Sequence, residues 1–164
     1  MKKRPEFLAL LSLAVFFAIL RPCSMSAQEH SVEAAKKATS TLIVHYTGLR
    51  NKEGKILTGM ARKAEGFPRD VDQHFSWLKA DARDGVLSVQ IEGLPYGPCA
   101  LTCLDDENCN GDIDMFLGIP KEGWGFSKNP SCGLSAPDFE DCKFEIDQPV
   151  QEIEIKLNYV RKGK

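Results

Sequence analysis

Acidic and amide side chains crowd into residues 105–114, whose sequence is DDENCNGDID. Five carboxylates and two Asn amides surround a single glycine there. Calcium is a hard cation that takes about six to eight oxygen ligands, and so many like charges need a cation to offset their repulsion. The segment therefore predicts a calcium-binding loop. The alternative is a solvated turn, in which Asp and Asn side chains accept hydrogen bonds from their own backbone.

The spacing of the oxygen donors supports the calcium hypothesis. Counted from Asp106, oxygen-bearing residues alternate and glycine falls at the sixth position, as in the loop of an EF-hand. Leu117 stands at the twelfth position, where an EF-hand has a bidentate Glu, and the flanking segments are not helical in pattern. The loop is therefore not an EF-hand, and a carboxylate from elsewhere must close the site. Glu122, Glu140 and Asp141 are nearest in sequence, and we predict Glu122. The full predicted ligand set is Asp106, Asn108, Asn110, the backbone carbonyl of Asp112, Asp114 and Glu122.

Enzymatic chemistry has weaker support in the sequence. The three histidines, His30, His45 and His74, form no metal-spaced pair, and no Gly-x-Ser-x-Gly elbow is present. The alternative function is a secreted hydrolase or carbohydrate-active enzyme that uses two acidic-loop carboxylates, which would lie about 5–9.5 Å apart beside an open pocket. Because no catalytic site assembles from these residues, we assign no catalytic residue, and the sequence favours a binding or structural protein over an enzyme without deciding between them.

The first 27 residues have the pattern of a secretory signal peptide. A cationic start precedes the charge-free apolar run FLALLSLAVFFAIL, and small residues end the segment near Ala27. The run is shorter than the roughly 20 residues of a membrane span. Lipidation at Cys23 is an alternative, although Arg21 and Pro22 precede it rather than a small residue. The pattern predicts a secreted or periplasmic protein with no integral membrane span after cleavage.

Export makes disulfides the default for the remaining cysteines. Of the six cysteines, Cys23 lies in the predicted signal peptide, so an odd number remains. If CALTC is a strand, Cys99 and Cys103 lie roughly 13 Å apart, which exceeds the approximately 7 Å Cα separation that a disulfide tolerates. Cys109 and Cys132 lie in loop-like sequence and are the candidate disulfide pair. The unpaired thiol leaves open a third function, a sensor or carrier.

Strand-like alternation predicts an all-β fold. Residues 28–40 form a predicted flexible leader, and residues 41–162 a single domain. Strands are predicted in TLIVHYTGL, KILTGMA, GVLSVQIEGLPYG, PCALTCLDD, CKFEI and VQEIEIKLNYV, the last as an amphipathic antiparallel strand. Residues 69–85 are predicted as a short helix or an irregular connector. Six or seven short strands separated by turn signals favour one antiparallel β-sandwich of transthyretin-like or immunoglobulin-like type.

A long Gly- and Pro-rich segment follows the last clear strand before the acidic loop. Residues 105–141 show neither helical nor strand periodicity, and loops of this length are usually functional or held by ions or disulfides. Trp124, Phe126 and Phe116 are predicted to pack a small core beneath this loop. The alternative is a platform for a sugar or peptide with Trp124 exposed.

The segment LPYGPCALTCLDDENCNGDIDMFLGIPKEGWGFSKNP, followed by APDFEDCKFEI, resembles the bacterial family of unknown function DUF2141. The family pattern runs LP-x-G-x-Y-A, HDEN-x-NG-x-x-D, GIP-x-EG-x-GFSN and P-x-F-x-x-A. The resemblance implies a small secreted or envelope β-sandwich and gives no activity. Asp105 replaces the His of that pattern, Cys99 replaces a Tyr, and Cys142 replaces a small residue.

The formal net charge is −2, and no basic stripe is present for nucleic acid. The sequence thus predicts an extracytoplasmic binding or structural module with a calcium loop. Its partner would be a protein or glycan, and not a nucleic acid.

Overall fold

The computed structural model describes residues 39–131, 133 and 135–160. The predicted signal peptide, Cys23, and the leader up to residue 38 lie outside the described residues. β1 begins at Thr39, two residues before the predicted start of the domain. The strands are β1 Thr39–Thr47, β2 Lys55–Ala61, β3 Gln73–Leu78, β4 Val86–Pro95, β5 Gly97–Asp106, β6 Met115–Phe116, β7 Ile119–Pro120, β8 Gly123–Phe126, β9 Phe144–Ile146 and β10 Val150–Lys156. A 3-10 helix spans Lys79–Asp81, and a short helix α1 spans Phe139–Cys142.

The strands form two main sheets, so the all-β prediction is confirmed. One sheet has the order β10-β1-β4, and the other has the order β3-β2-β5-β8, with β9 also paired to β5. A separate two-stranded hairpin joins β6 to β7. Within β1, alternate residues Leu42, Val44 and Tyr46 are fully buried, as a strand with one face on the core requires.

The hydrophobic core takes side chains from both sheets. Leu42 of β1 and Ile155 of β10 share a cluster with Ile56 of β2 and Leu101 of β5. A buried hydrogen bond of 2.6 Å joins the Tyr46 hydroxyl in one sheet to the Thr58 hydroxyl in the other. This hydrogen bond satisfies both hydroxyls, which would otherwise be costly to bury.

The closing strand pairs differently from the prediction. β10 lies parallel to β1, with Val44 opposite Ile153, whereas an antiparallel strand was predicted. The alternation of apolar and polar residues places side chains on faces but carries no information about strand direction. The prediction of an exclusively antiparallel arrangement is therefore wrong at this pair.

The segment predicted as a helix or irregular connector contains a strand. β3 pairs antiparallel with β2, and its Phe75 and Trp77 rings stack with centroids 5.8 Å apart. Their i, i+2 spacing puts both rings on one face of the strand, where they pack against the core. A single pair of aromatic residues in a charged context gave too short a pattern to identify the strand.

Residues beyond the acidic loop also contain more structure than predicted. The short strands β6, β7 and β8 and helix α1 lie within residues 105–142. Phe126 and Phe139 form a second apolar cluster with partly buried Trp124, so the predicted small core exists. Phe116 does not contribute to it, because its side chain is 63% exposed on the β6–β7 hairpin. The prediction for Phe116 is therefore wrong.

Candidate calcium-binding loop

The acidic loop leaves the sheet at the end of β5 and runs to β6 of the separate hairpin. Its first predicted ligand, Asp106, is the last residue of β5 and is fully buried. One carboxylate oxygen of Asp106 accepts the backbone N–H of Asn110 at 3.0 Å, and the other accepts that of Gly111 at 3.0 Å. Gly111 has φ of 89°, which glycine adopts without steric cost. The Asp106 side chain therefore folds the loop back toward β5.

Three further predicted ligands contact one another. Asn108 donates an N–H from its side-chain amide to one oxygen of Asp114 at 2.9 Å, and Asn110 donates to the other at 3.1 Å. The Asn108 amide oxygen also accepts the N–H of Asn110 at 2.9 Å. The structure thus brings together the polar side chains at the third, fifth and ninth positions of the predicted loop.

Asp112 differs from the other acidic residues of the loop. Its backbone N–H donates to the Asn110 amide oxygen at 2.8 Å, which fixes the peptide at the seventh position. Its carboxylate is exposed and accepts the N–H of Ile113 at 2.8 Å. The side chain therefore takes part only in local turn geometry, which leaves the backbone carbonyl as the predicted donor.

Glu122 reaches the loop from β7–β8, as a closing carboxylate must. It is only 3% exposed, and its two oxygens accept the backbone N–H groups of Glu107 and Asp114, each at 3.0 Å. The N–H of Lys121 donates to the Asp114 carbonyl at 2.8 Å. Glu122 therefore joins the two ends of the loop at its base. Its role as a calcium ligand stays a prediction.

Within residues 39–131, 133 and 135–160, no three His, Cys, Asp or Glu side chains form a metal-binding group. The candidate donors of the acidic loop instead combine carboxylates with Asn amide oxygens and a backbone carbonyl. Glu140 and Asp141, the other two carboxylates weighed for closing the site, lie in α1.

A second polar group, absent from the sequence prediction, supports the loop from the turn after β1. Arg50 makes a bidentate pair with Glu107, with nitrogen–oxygen distances of 2.6 and 2.7 Å. Asn51 donates to the same carboxylate at 2.8 Å, and the Arg50 guanidinium lies 4.6 Å from the centroid of the Tyr159 ring. The hydrogen bonds from Arg50 are the main cause that lowers the pKa of Glu107.

Behind this pair lies a fully buried amine. The Lys79 side chain is 0% exposed, forms an ion pair with fully buried Asp105, and donates to the Asn51 amide oxygen at 2.8 Å. Tyr159 donates its hydroxyl hydrogen to the other Asp105 oxygen at 2.5 Å, and burial followed by this hydrogen bond raises the pKa of Tyr159. No sequence pattern around Lys79 predicts that its side chain is buried. Lysine is also rarely fully buried, so an exposed side chain was the default expectation.

An open cleft of about 1010 Å³ lies beside the acidic loop. It has a polar side that includes Arg50 and Glu107 and an apolar side that includes Phe116 and Ile119. A hydrolase at this cleft would need a carboxyl that holds its proton near neutral pH. The Glu107 carboxyl is unsuited to that role, because its pKa is lowered.

The cysteines divide into exposed and buried thiols. Cys109 is exposed at the left-handed φ of 60°, and its predicted partner Cys132 lies outside the described residues. Cys99 and Cys103 are buried in β5, and burial raises the pKa of Cys99 to about 12. A thiol with such a high pKa is mostly protonated at neutral pH and is a poor nucleophile.

Taken together, the two sheets and the loop define an all-β domain that carries one oxygen-rich loop on a rigid polar base. The chain belongs to the family of uncharacterised proteins conserved in bacteria, DUF2141, whose model matches residues 44–154. The predicted family membership is thereby confirmed. No curated protein and no solved structure matches the chain. Of the helices that the structure describes, none is long and apolar enough to cross a membrane.

Proposed function

We propose that this protein is an extracytoplasmic binding or structural module of the cell envelope whose acidic loop binds one calcium ion. The observation that carries the proposal is the convergence of Asn108 and Asn110 on Asp114, within a loop that Asp106 folds back toward β5. The ligands are the side chains of these four residues, the carbonyl of Asp112 and the carboxylate of Glu122. Amide and carbonyl oxygens beside carboxylates are the mixture that calcium accepts.

The backbone N–H groups that bond to Asp106 favour calcium binding, because they shape the loop. The amide N–H groups that Asn108 and Asn110 donate to Asp114 turn away when calcium binds, and the amide oxygens take their place. A carboxylate oxygen has more than one acceptor site, so Asp106 can accept a backbone N–H and still face a cation. These bonds hold the backbone in shape before the ion arrives, which lowers the entropic cost of ordering it. Glu122 fixes the two ends of the loop, and in the proposal it also supplies the outside carboxylate from the base of the loop.

The proposed location is consistent with a weak calcium site. The signal-peptide pattern of residues 1–27 supports export to the cell envelope or the medium. Extracellular calcium modules commonly have dissociation constants of about 10⁻⁴–10⁻³ M. Calcium bound at such a site stabilises the fold by mass action and presents the loop in one conformation to a protein or glycan partner.

Thermal unfolding in calcium and in chelator tests the proposal. At about 10 mM calcium, a site of this affinity stabilises the folded state by about 1.4–2.7 kcal/mol, which raises the Tm by several degrees. Isothermal calorimetry should show one calcium per chain, and magnesium should bind more weakly because it requires stricter octahedral geometry.

Two variants of equal charge separate a calcium site from general screening of acidic residues. Asp114→Asn replaces a charged ligand by a neutral amide oxygen and should strongly weaken the calcium response. Asp112→Asn removes an exposed carboxylate from the same loop but keeps the carbonyl ligand, so it should retain the response. Equal Tm values in calcium and chelator, with no binding heat for the wild type, would contradict the proposal.

A further inference from the structure

We propose that Lys79 forms an intramolecular isopeptide bond with the side chain of Asn51, with Asp105 as the proton acceptor and ammonia as the leaving group. This inference is independent of calcium binding. It rests on a fully buried amine and carboxylate that meet a partly buried carboxamide.

The amine and the carboxamide come from different parts of the fold. Asn51 lies in the turn between β1 and β2, and Lys79 begins the 3-10 helix that follows β3. The backbone N–H of Lys79 donates to the carbonyl of Gly54 at 3.2 Å, which ties the helix to that turn. Lys79 Nζ lies 2.8 Å from the Asn51 amide oxygen. The fold therefore holds the nucleophile against the electrophile before any reaction.

Two carboxylates, Asp105 and Glu107, flank the contact between Lys79 and Asn51 and can assist the reaction. Asp105 contacts Lys79 Nζ directly, so it can accept a proton from the ammonium. On the other side, Glu107 accepts the Asn51 amide N–H at 2.8 Å and orients the nitrogen that would leave. Arg50 fixes Glu107 in turn through its bidentate pair. Asp105 can therefore activate the Lys79 amine, while Glu107 positions the side-chain nitrogen of Asn51 that would leave.

The step balances without an oxidant or any further reactant. One proton passes from Lys79 Nζ to Asp105, and the neutral amine attacks the Asn51 side-chain carbonyl carbon. The new N–C bond forms as the C–Nδ2 bond breaks. A second Nζ proton passes through Asp105 to Nδ2, which leaves as ammonia. Asp105 keeps the first proton, so a buried ion pair becomes a neutral amide and a neutral carboxyl.

Burial and proximity both favour this reaction. Charges removed from water carry a desolvation penalty, which the neutral products do not. Holding the reacting groups together replaces a bimolecular encounter by an intramolecular one, which raises effective concentrations by many orders of magnitude. The attack requires rotation of the Asn51 amide toward Nζ, and this terminal torsion is broad in Asn.

Peptide mapping of the folded wild-type chain by tandem mass spectrometry tests the proposal. The expected result is one cross-linked species that joins the peptides of Asn51 and Lys79 and is lighter by one ammonia. Intact mass alone is insufficient, because an N-terminal Gln28 left by signal cleavage would also lose ammonia on cyclising. Separate, unlinked peptides from the folded wild type would overturn the proposal. Loss of water with a link between Lys79 and Asp105 would also overturn it.

Variants of the same protein provide the controls. Lys79→Arg keeps a cation but removes the nucleophile, and Asp105→Asn removes the proton acceptor at similar size, so neither should contain the link. Lys55→Arg changes a partly exposed lysine that lies 3.5 Å from Asp106, and it should retain the link. Because the wild-type map is decisive by itself, a variant that fails to fold does not weaken the test. A link that persists in Asp105→Asn would refute the role of that carboxylate.

Discussion

Glu107 connects the acidic loop to the turn after β1 through several hydrogen bonds. Its carboxylate accepts hydrogen bonds from Arg50 and Asn51, and its backbone N–H donates to Glu122. One residue therefore joins the base of the proposed calcium site to the polar group that surrounds Lys79. Since Arg50 is 42% exposed, solvent screening limits what the ion pair contributes to stability.

The lowered pKa of Glu107 predicts how this pair responds to acid. Below its ordinary value of 4.5 the unfolded chain binds a proton more readily than the folded chain. The stabilisation by Arg50 is therefore fully present above that pH and is lost as the pH falls through the lowered pKa of the folded state. Arg50→Gln should lower the free energy of unfolding by about 0.2–1 kcal/mol at neutral pH, and the difference from wild type should narrow in acid. It should not vanish, because Arg50 also contacts the Tyr159 ring and the Lys121 carbonyl.

Urea unfolding of both proteins across that pH range measures the difference. Lys63→Gln is the matched control, since Lys63 pairs with Glu65 at 3.4 Å on an exposed surface and should change stability little at any pH. A difference between wild type and Arg50→Gln that persists unchanged in acid would show that the pair does not act through the ionised Glu107.

The sequence predicted the oxygen donors of the loop but not the residues that support them. Asp106, Asn108, Asn110 and Asp114 are recognisable because their alternation within ten residues is a local pattern. Lys79 and Asn51 are 28 positions apart, so only the pairing of strands brings them together. Their contact depends on tertiary structure, which the pattern of neither segment encodes.

Among the elements, the turn between β1 and β2 is packed against the end of β5. Gly54 in this turn has φ of 75°, and a Cβ there would lie 2.0 Å from the backbone oxygen of Asp106. Gly93 in β4 has a similar φ of 72°, but a Cβ there would meet nothing within 4 Å. An alanine would therefore have a similarly strained backbone at both positions, but its Cβ would clash only at Gly54.

This difference predicts different effects of alanine at the two positions. Gly93→Ala should cost about 1–2 kcal/mol of stability, from the left-handed backbone alone. Gly54→Ala should cost clearly more, and it should weaken the calcium response, because the turn must move away from Asp106. Chemical unfolding and calcium titration of both variants provide the measurement. Equal stability losses, with an unchanged calcium response in both, would contradict the close packing of turn and loop.

Strands with a long alternation of apolar and polar residues were predicted correctly, and strands with a short one were missed. β2 was predicted with its observed bounds, because it is bordered by clear turn residues. β4 and β5 were recognised from long alternation that the turn at Tyr96 separates. β3 was missed, and β6 to β8 were missed because strands of two to four residues contain too few alternations to be distinguished from loop.

At the scale of the whole molecule, two sheets enclose one core and leave the acidic loop at its edge. Many core residues could be predicted, because the alternate apolar residues of β1, β4 and β10 were each assigned to one face of their strand. The parallel pairing of β10 with β1 could not be predicted from the sequence, because strand order and direction depend on the path of the whole chain. The sheet positions both ends of the loop, because Asp106 ends β5 and Glu122 directly precedes β8.

A crystal structure grown in calcium is the decisive experiment for the proposed calcium site. We predict one ion with oxygen ligands from Asp106, Asn108, Asn110, Asp114, Glu122 and the Asp112 carbonyl, at distances of about 2.3–2.6 Å. An anomalous difference map would identify the ion. A loop in which Asn108 and Asn110 still donate to Asp114, with no ion among these oxygens at millimolar calcium, would rule out the proposed calcium site.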